Sequence, residues 1–314
     1  MSGYHPGELA VQERAGLAAQ AAFSLGGIGD TVPPVARAFL SEQPMIVLGA
    51  ADEGGRMWAT LLTGPAGFLR VPDPRTLVVR ASPPEDPPAA VFADGRTARV
   101  GLIALEPATR RRMRLNGRAR RDGDEIRVAL DQVIANCPKY LTKRELEGRA
   151  DTRPRAAVTT AALSAAQQAA IAAADTFFVA TASGRGDADA SHRGGDPGFV
   201  EVLSPTRLRW PDYTGNAMFL TLGNLHLRPE AGLLFPDWET GALLHLTGTA
   251  RTVWEEGGAD RYPGAQRLVE FSVAEVREVA EGSPLRWSKP RYSRFNPRPR
   301  LAPADSRPGP SADG

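Results

Sequence analysis

The residues best suited to chemistry are concentrated in Asp189-Ala190-Ser191-His192-Arg193-Gly194-Gly195-Asp196-Pro197-Gly198-Phe199. Glycines, a proline, a histidine and an arginine lie here between two apolar runs, 176–181 and 199–203. Glycine lets a backbone approach a ligand closely, and an adjacent arginine can meet an anion there. The same residues also suit a plain turn between strands. A second stretch, Gly215-Asn216-Ala217-Met218-Phe219-Leu220-Thr221-Leu222, reads as a turn entering a helix with Asn216 at the cap. Free backbone N–H groups at such a start attract phosphate. A third stretch is Thr109-Arg110-Arg111-Arg112-Met113-Arg114-Leu115-Asn116-Gly117. In a strand, Met113 and Leu115 face the core, and Arg110, Arg112, Arg114 and Asn116 face the other way. Arginines sharing one face repel one another unless an anion or an acidic partner lies nearby. A solvated face is the plainer alternative.

Other chemistries find little support. No Walker-type loop or GxGxxG follows a strand, and His5, His192, His226 and His245 are scattered with no metal-ligand spacing. Ser191 and His192 are adjacent, so in a strand they face opposite ways and cannot act as nucleophile and base. The single cysteine, Cys137, precedes a proline and reads as a buried structural thiol. One cysteine excludes an intramolecular disulfide and suits a reducing cytoplasm.

The elements that must position these residues are mostly strands. The chain has 314 residues, 42% hydrophobic and 24% charged, with a formal net charge of +2. This composition is that of a globular protein with sizeable cores and no global pull toward nucleic acid or membrane. No apolar run is long enough to span a bilayer, and the first residues lack a signal-peptide layout. The pattern predicts a helix over 1–24, then strands at 45–50, 57–62, 68–71, 76–80, 100–105 and 110–115. Residues 131–146 read as amphipathic and partly helical, and 161–174 as an alanine-rich helix capped by Ser164. Strands return at 176–182, 199–203, 207–211, 231–235 and 242–254. Residues 286–300 carry six basic residues and no acidic one, and read as an extended tail anchored by Trp287, Tyr292 and Phe295.

An internal repeat underlies this order. Residues 64–77 and 195–208 are identical at six of fourteen positions, at an offset of 131. The same offset relates Gly101-Leu102 to Gly232-Leu233, Thr109 to Thr240, Leu115 to Leu246 and Gly117 to Gly248. Two blocks with one shift imply two copies of one small β-domain. The expected organisation is an N-terminal helical segment (1–37), a first copy (38–125), a connecting helical segment and linker (126–160), a second copy (161–285) and a basic, proline-rich, partly disordered tail (286–314). The copies differ where chemistry is expected. Opposite Ser191–Gly194 stands Thr60-Leu61-Leu62-Thr63. Opposite Asp212–Asn216 stands Ala81-Ser82-Pro83-Pro84-Glu85, and opposite Thr221–Asn224 stands Ala90-Val91-Phe92-Ala93.

Ser191 to Phe199, Pro211-Asp212-Tyr213-Thr214-Gly215-Asn216 and Thr221-Leu222-Gly223-Asn224-Leu225 resemble the pyridoxamine 5′-phosphate oxidase-like, FMN-binding split-barrel family. The likeness extends to tandem members that carry Thr109–Gly117 and Asn136-Cys137-Pro138-Lys139-Tyr140. It covers roughly residues 4–285. The resemblance implies a mainly β fold with flanking helices, in which two six-stranded split barrels in tandem form an intramolecular pseudo-dimer. It implies FMN between the barrels, with phosphate held by Arg193, Asn216, Thr221 and Asn224, with Ser191 and His192 beside the ring, and with Gly194 among the cofactor-binding residues. Arg112 and Arg114 are the expected cross-barrel contribution. Relatives often place a polar or basic residue after the Gly-Asn pair, where this chain has Ala217. The C-terminal substrate signature of true pyridoxamine phosphate oxidases is not evident in 286–300. The implied activity is an FMN-dependent oxidoreductase of another kind, supplied by a reduced nicotinamide or a partner reductase and acting on a small-molecule substrate. The competing reading is a non-catalytic flavin- or haem-binding protein for storage or sensing. No metal, nucleic-acid or membrane partner is expected, and the chain is read as a cytoplasmic monomeric pseudo-dimer or a homodimer.

Overall fold

A computed structural model describes residues 3–81, 96–135, 139–254 and 262–297. Two short helices open the chain, α1 (Pro6–Arg14) and α2 (Ala18–Ser24). The single helix expected here is broken because Gly16 adopts φ +67°. In that conformation the N–H groups of Gly16 and Leu17 close back on Glu13 and Gln12, which ends α1 as a left-handed glycine commonly does. His5 caps α1: its ring accepts from Gly7 N–H, and the Glu8 carboxylate accepts from His5 N–H.

The first sheet follows, with β1 (Ile28–Gly29), α3 (Pro34–Glu42), β2 (Met45–Ala51), β3 (Met57–Thr63), β4 (Leu69–Asp73), β5 (Thr76–Val79), β6 (Thr97–Glu106), β7 (Arg111–Asp122) and β8 (Glu125–Ala135). A connecting strand β9 (Leu146–Arg149) leads into the second sheet. That sheet comprises β10 (Val158–Thr160), α4 (Ala165–Ala173), β11 (Thr176–Ala182), β12 (Ala188–Gly194), β13 (Glu201–Ser204), β14 (Arg207–Tyr213), α5 (Leu220–Leu227), β15 (Glu230–Pro236), β16 (Leu243–Val253) and β17 (Ala265–Val279). The last strand, β18 (Leu285–Trp287), pairs with β9.

The sheets share one topology. The first runs β3-β2-β6-β7-β8-β5-β4 with β1 on β8; the second runs β12-β11-β15-β16-β17-β14-β13 with β10 on β17. The 131-residue offset maps α3 onto α4, β2 onto β11 and β3 onto β12 residue for residue. The fold is therefore mainly β with flanking helices, two split barrels in tandem. Each sheet has eight strands among the described residues, against the six expected; in the first sheet the strands not read from the sequence are β1, only two residues long, and β8, whose end reads as part of an amphipathic segment.

Residues 131–146 hold no helix among those described. Asp131–Ala135 continues β8 in register with β7 (Leu115↔Val133, Met113↔Ala135), so ladder hydrogen bonds override the local amphipathic pattern. Cys137 lies outside the described residues. Of the three aromatic anchors expected in the tail, Trp287 is buried and meets Trp238 edge-on at 5.7 Å, while Tyr292 and Phe295 stay largely exposed. Among the described residues, no helix is long and apolar enough to cross a membrane.

Each barrel has its own apolar core. A third apolar cluster joins them, with Met45, Val47, Met57 and Ile103 from one copy against Phe178, Ala180, Ala190 and Leu234 from the other. The closest approach is backbone against backbone. A Cβ built on Gly101 would lie 2.5 Å from Ala190 N, and one built on its repeat-mate Gly232 would lie 2.5 Å from Trp58 Cα. Neither neighbour is a flexible side-chain tip, so only separation of the barrels relieves the clash. We expect Gly101→Ala and Gly232→Ala each to destabilise the protein by about 1–3 kcal/mol or more. Gly26→Ala, where nothing lies within 4 Å, should have far less effect. Urea denaturation of the three variants checks this.

Candidate functional site

The strand β12 runs along the seam between the barrels and places its side chains in two environments. Ser191 is fully buried, and His192 and Arg193 line a cleft whose other wall comes from β7 of the first copy through Arg112 and Arg114. Lys139, Tyr140 and the segment Pro211–Leu220 complete it. Gly194 is required because a Cβ there would strike the Tyr140 carbonyl oxygen. Tyr140 itself adopts φ +62°. Its ring meets that of Tyr213 at 5.1 Å, and its hydroxyl donates to Thr214 O at 3.0 Å, making one aromatic wall.

The opposite wall is basic and hydrogen-bonded. Arg114 donates to both oxygens of Asp189 (2.9 and 3.2 Å) and to Ser191 Oγ (2.8 Å). Arg112 lies 2.8 Å from His192 Nδ1. A guanidinium only donates, so Nδ1 accepts and the ring proton sits on Nε2. That Nε2 is buried with no hydrogen-bond partner. Burial, with the charges of Arg112, Arg193 and Arg114, holds the His192 pKa well below its ordinary value and keeps the ring neutral. His192 thus carries a neutral N–H donor with no acceptor among the described residues.

Arg193 donates to Ser191 Oγ (2.6 Å) and His192 O (3.1 Å), both neutral oxygens. Burial disfavours its cation, Asp212 and Asp189 offset this, and Arg114 adds to it. Asp212 in turn is raised by burial, against the pull of Arg193 and Arg267. Arg267 lies 3.6 Å from Asp212 and stacks over Phe219 at 4.8 Å. The turn before α5 is strained, since Ala217 and Phe219 both have positive φ (60° and 55°). Consequently α5 begins at Leu220 and not at Asn216. The Asn216 side chain accepts instead from Met218 N at 3.2 Å within the turn.

The structure therefore brings His192, Arg193, Gly194, Asn216, Arg112 and Arg114 to one cleft, with Ser191 directly beneath. Thr221 and Asn224 are buried in α5 and do not line it. Asn224 bonds to Thr181 Oγ1 (3.0 Å) and His5 Nε2 (2.9 Å). Arg110 leaves the arginine face, because it precedes β7 with φ 58° and donates to Leu141 O and Tyr292 O. Asp189, Lys139, Tyr140, Asp212 and Tyr213 lie inside the motifs singled out from the sequence, which assign them no role at the site; Arg267 lies within β17 and carries no local signal.

The repeat-related interface is built differently. Thr60 and His245 stand where Ser191 and Arg114 stand, and they share one hydrogen bond (3.2 Å). Leu61, Leu62 and Leu243 replace His192, Arg193 and Arg112, and all three are buried. Pro84 and Glu85 lie outside the described residues. The positions that carry Arg112, Arg114 and Arg193 at the cleft hold no arginine at the related interface.

Residues 163–286, from before α4 into β18, match the family model described as pyridoxamine 5′-phosphate oxidase. The resemblance read from the motifs thus holds over the second copy. No curated protein sequence matches the chain. Solved structures similar to it include HupZ of Group A Streptococcus, 14% identical with a TM-score of 0.32, covering 39% of this chain and 98% of its own. A pyridoxamine 5′-phosphate oxidase-related, FMN-binding protein of Nostoc punctiforme is 10% identical with a TM-score of 0.25, covering 38% and 86%. A FAD-binding protein of Mesorhizobium loti is 13% identical with a TM-score of 0.26, covering 40% and 98%.

The polar seam makes stability pH-dependent. His245 is buried, and burial above all pulls its pKa down to about 4. An unfolded histidine takes up its proton near pH 6.5, so between these values the unfolded state binds the extra proton. Stability is therefore intact above pH 6.5 and declines as pH falls toward 4, by about 3 kcal/mol from this group. His192 acts in the same direction. In urea denaturation from pH 7 to 4.5 the parent should lose stability relative to His245→Gln, the gap between the two widening as pH falls.

Proposed function

We propose that the cleft binds FMN and that the protein is a flavin-dependent oxidoreductase. The observation that carries this reading is Arg193, a half-buried cation whose hydrogen bonds go to neutral oxygens in a cleft that also receives Arg112 and Lys139. Such a cation gains most from an anionic ligand, and a phosphate monoester suits a guanidinium. The residues present fit the cofactor in further ways. The unpartnered His192 Nε2–H would serve an acceptor atom of the flavin ring system. The Tyr140–Tyr213 pair offers an aromatic surface, and the 214–217 turn offers backbone close to the cleft.

A bound flavin supplies the redox chemistry, so the protein's own task is binding, orientation and electrostatics. Arg193 and Lys139 would hold the phosphate, with Asn216 shaping the turn beside it. Arg112 fixes the His192 tautomer, and neutrality at His192 keeps its proton available for donation at physiological pH. Arg114 has its charge balanced by Asp189 and so acts chiefly as the brace between the barrels.

One FMN per chain is expected, because the related interface carries Leu62 where the cleft carries Arg193. A charge-assisted contact is worth about 1.5–3 kcal/mol, so Arg193→Ala should weaken FMN binding roughly ten- to a hundredfold. Leu62→Ala should leave affinity unchanged and lower stability only. Titration of apo-protein followed by fluorescence quenching checks both. Two equal sites per chain, or full affinity in Arg193→Ala, would refute the assignment. Bleaching of bound FMN by a reduced nicotinamide tests the oxidoreductase reading. A Soret band in the purified protein would favour the haem-binding alternative.

A further inference from the structure

The N-terminal helices lie outside both barrels, yet they hold the turn that walls the cleft. Gln12, in α1, is 2% exposed, and its Nε2 donates to Met218 O at 3.1 Å. A buried amide of this kind is normally kept by the bond it makes. Ser24, the last residue of α2, donates through Oγ to Asn216 O at 2.7 Å. Asn216, Ala217, Met218 and Phe219 line the cleft, whereas Gln12 and Ser24 do not. The two donors therefore hold the turn from behind. An apolar contact supports them, since Met218 and Leu220 cluster with Ile134, and Tyr4 and Ile28 pack against that cluster.

These bonds fix the direction of two peptide planes. In a trans peptide the C=O of one residue and the N–H of the next point opposite ways. The Asn216 carbonyl turned back to Ser24 aims the Ala217 N–H away from the N-terminal helices. The Met218 carbonyl turned back to Gln12 does the same for the Phe219 N–H. Neither N–H meets an acceptor among the described residues; the Met218 N–H between them is taken by Asn216 Oδ1 at 3.2 Å. Ala217 and Phe219 are also the two residues of the turn with positive φ, 60° and 55°. A residue with a side chain keeps that backbone only where its surroundings over-determine it. The two carbonyl bonds and the apolar cluster are such surroundings. Backbone N–H groups fixed in direction within a turn of this kind suit an anion.

We propose that Gln12 and Ser24 are positioning residues for the cleft, which hold the turn so that the Ala217 and Phe219 N–H groups stay free for the phosphate of the ligand. Granted the flavin reading, on which this rests, phosphate recognition then depends on helices outside both barrels, through contacts 206 and 192 residues apart in sequence. Neither residue touches the ligand; each acts through a backbone carbonyl. Loss of either donor frees a peptide plane to turn, and the phosphate loses a donor while the ring system keeps its surroundings.

The test is titration of the full-length apo-protein with FMN and with riboflavin, which has the same ring system and no phosphate. Gln12→Met is close in size and lacks the amide donor; Ser24→Ala lacks the hydroxyl. Each should weaken FMN binding roughly fivefold or more and change riboflavin binding less than about twofold, the loss of one hydrogen bond felt only by the phosphate. Ser24→Thr keeps the hydroxyl and should bind FMN as the parent does. Thermal unfolding verifies that each variant is folded, and the Ser24 pair decides the matter if Gln12→Met is not. Full FMN affinity in folded Gln12→Met and Ser24→Ala, an equal loss for FMN and riboflavin, a parent that binds the two alike, or a Ser24→Thr as weak as Ser24→Ala would overturn the proposal and leave the flavin reading standing. A parent that binds neither ligand ends the flavin reading and the proposal with it.

Discussion

The structure depends on two barrels whose backbones touch. At Gly101 against Ala190 and at Gly232 against Trp58 there is no room for a single extra carbon. This contact brings the faces of the inner strands together and buries the shared apolar cluster. Each split barrel alone would leave that face in water, at a cost of about 1.5–3 kcal/mol for every large side chain exposed. Covalent duplication supplies the cover within one chain. The same contact lays β12 beside β7, and that is why Arg112 reaches His192 and Arg114 reaches Asp189 and Ser191. The cleft follows from the packing of the barrels.

Duplication also frees the two interfaces to differ. In a symmetric dimer of one-barrel chains, every substitution appears twice. Here the offset pairs Ser191 with Thr60 and Arg114 with His245, and the hydrogen bond persists across the change (2.8 Å in one interface, 3.2 Å in the other). The arginines at these aligned positions persist only beside the cleft. Buried charge is costly unless paired or facing a ligand. Arg114 is paired with Asp189, Arg193 lies near Asp212, and the His245 side stays neutral. The polar interface is the one that faces open space, and its counterpart is packed with leucine.

Segments outside the barrels wrap the second copy. The N-terminal helix rests on α5, and the C-terminal run crosses from β18 to the loop after β12, where Asn296 donates to Asp196 at 2.8 Å. Both reach surfaces close to the cleft. The N-terminal segment adds polar atoms of its own, a carboxyl and a capping imidazole, to a seam already rich in hydrogen bonds.

The repeat was readable by counting residues, because equal spacing of Gly101-Leu102 and Gly232-Leu233 requires no knowledge of contacts. Strand alternation placed Met113 and Leu115 inward and Arg112 and Arg114 together, since side-chain direction in a strand is a local property. The glycines before Phe199 marked the turn for the same reason. Long-range pairing lay beyond that reading. Residues 131–135 look amphipathic in isolation and become strand because β7 offers a ladder. Asn216 looks like a helix cap and instead holds a turn, because Ala217 and Phe219 are forced into left-handed backbone. Arg267 and Asp189 gave no local sign of their surroundings. Their roles come from which charges burial sets beside them, and burial is decided by how the two barrels and the N-terminal helix close on one another. Local pattern determined which residues share a face; only the tertiary structure decided which faces meet, and so which buried charges have partners.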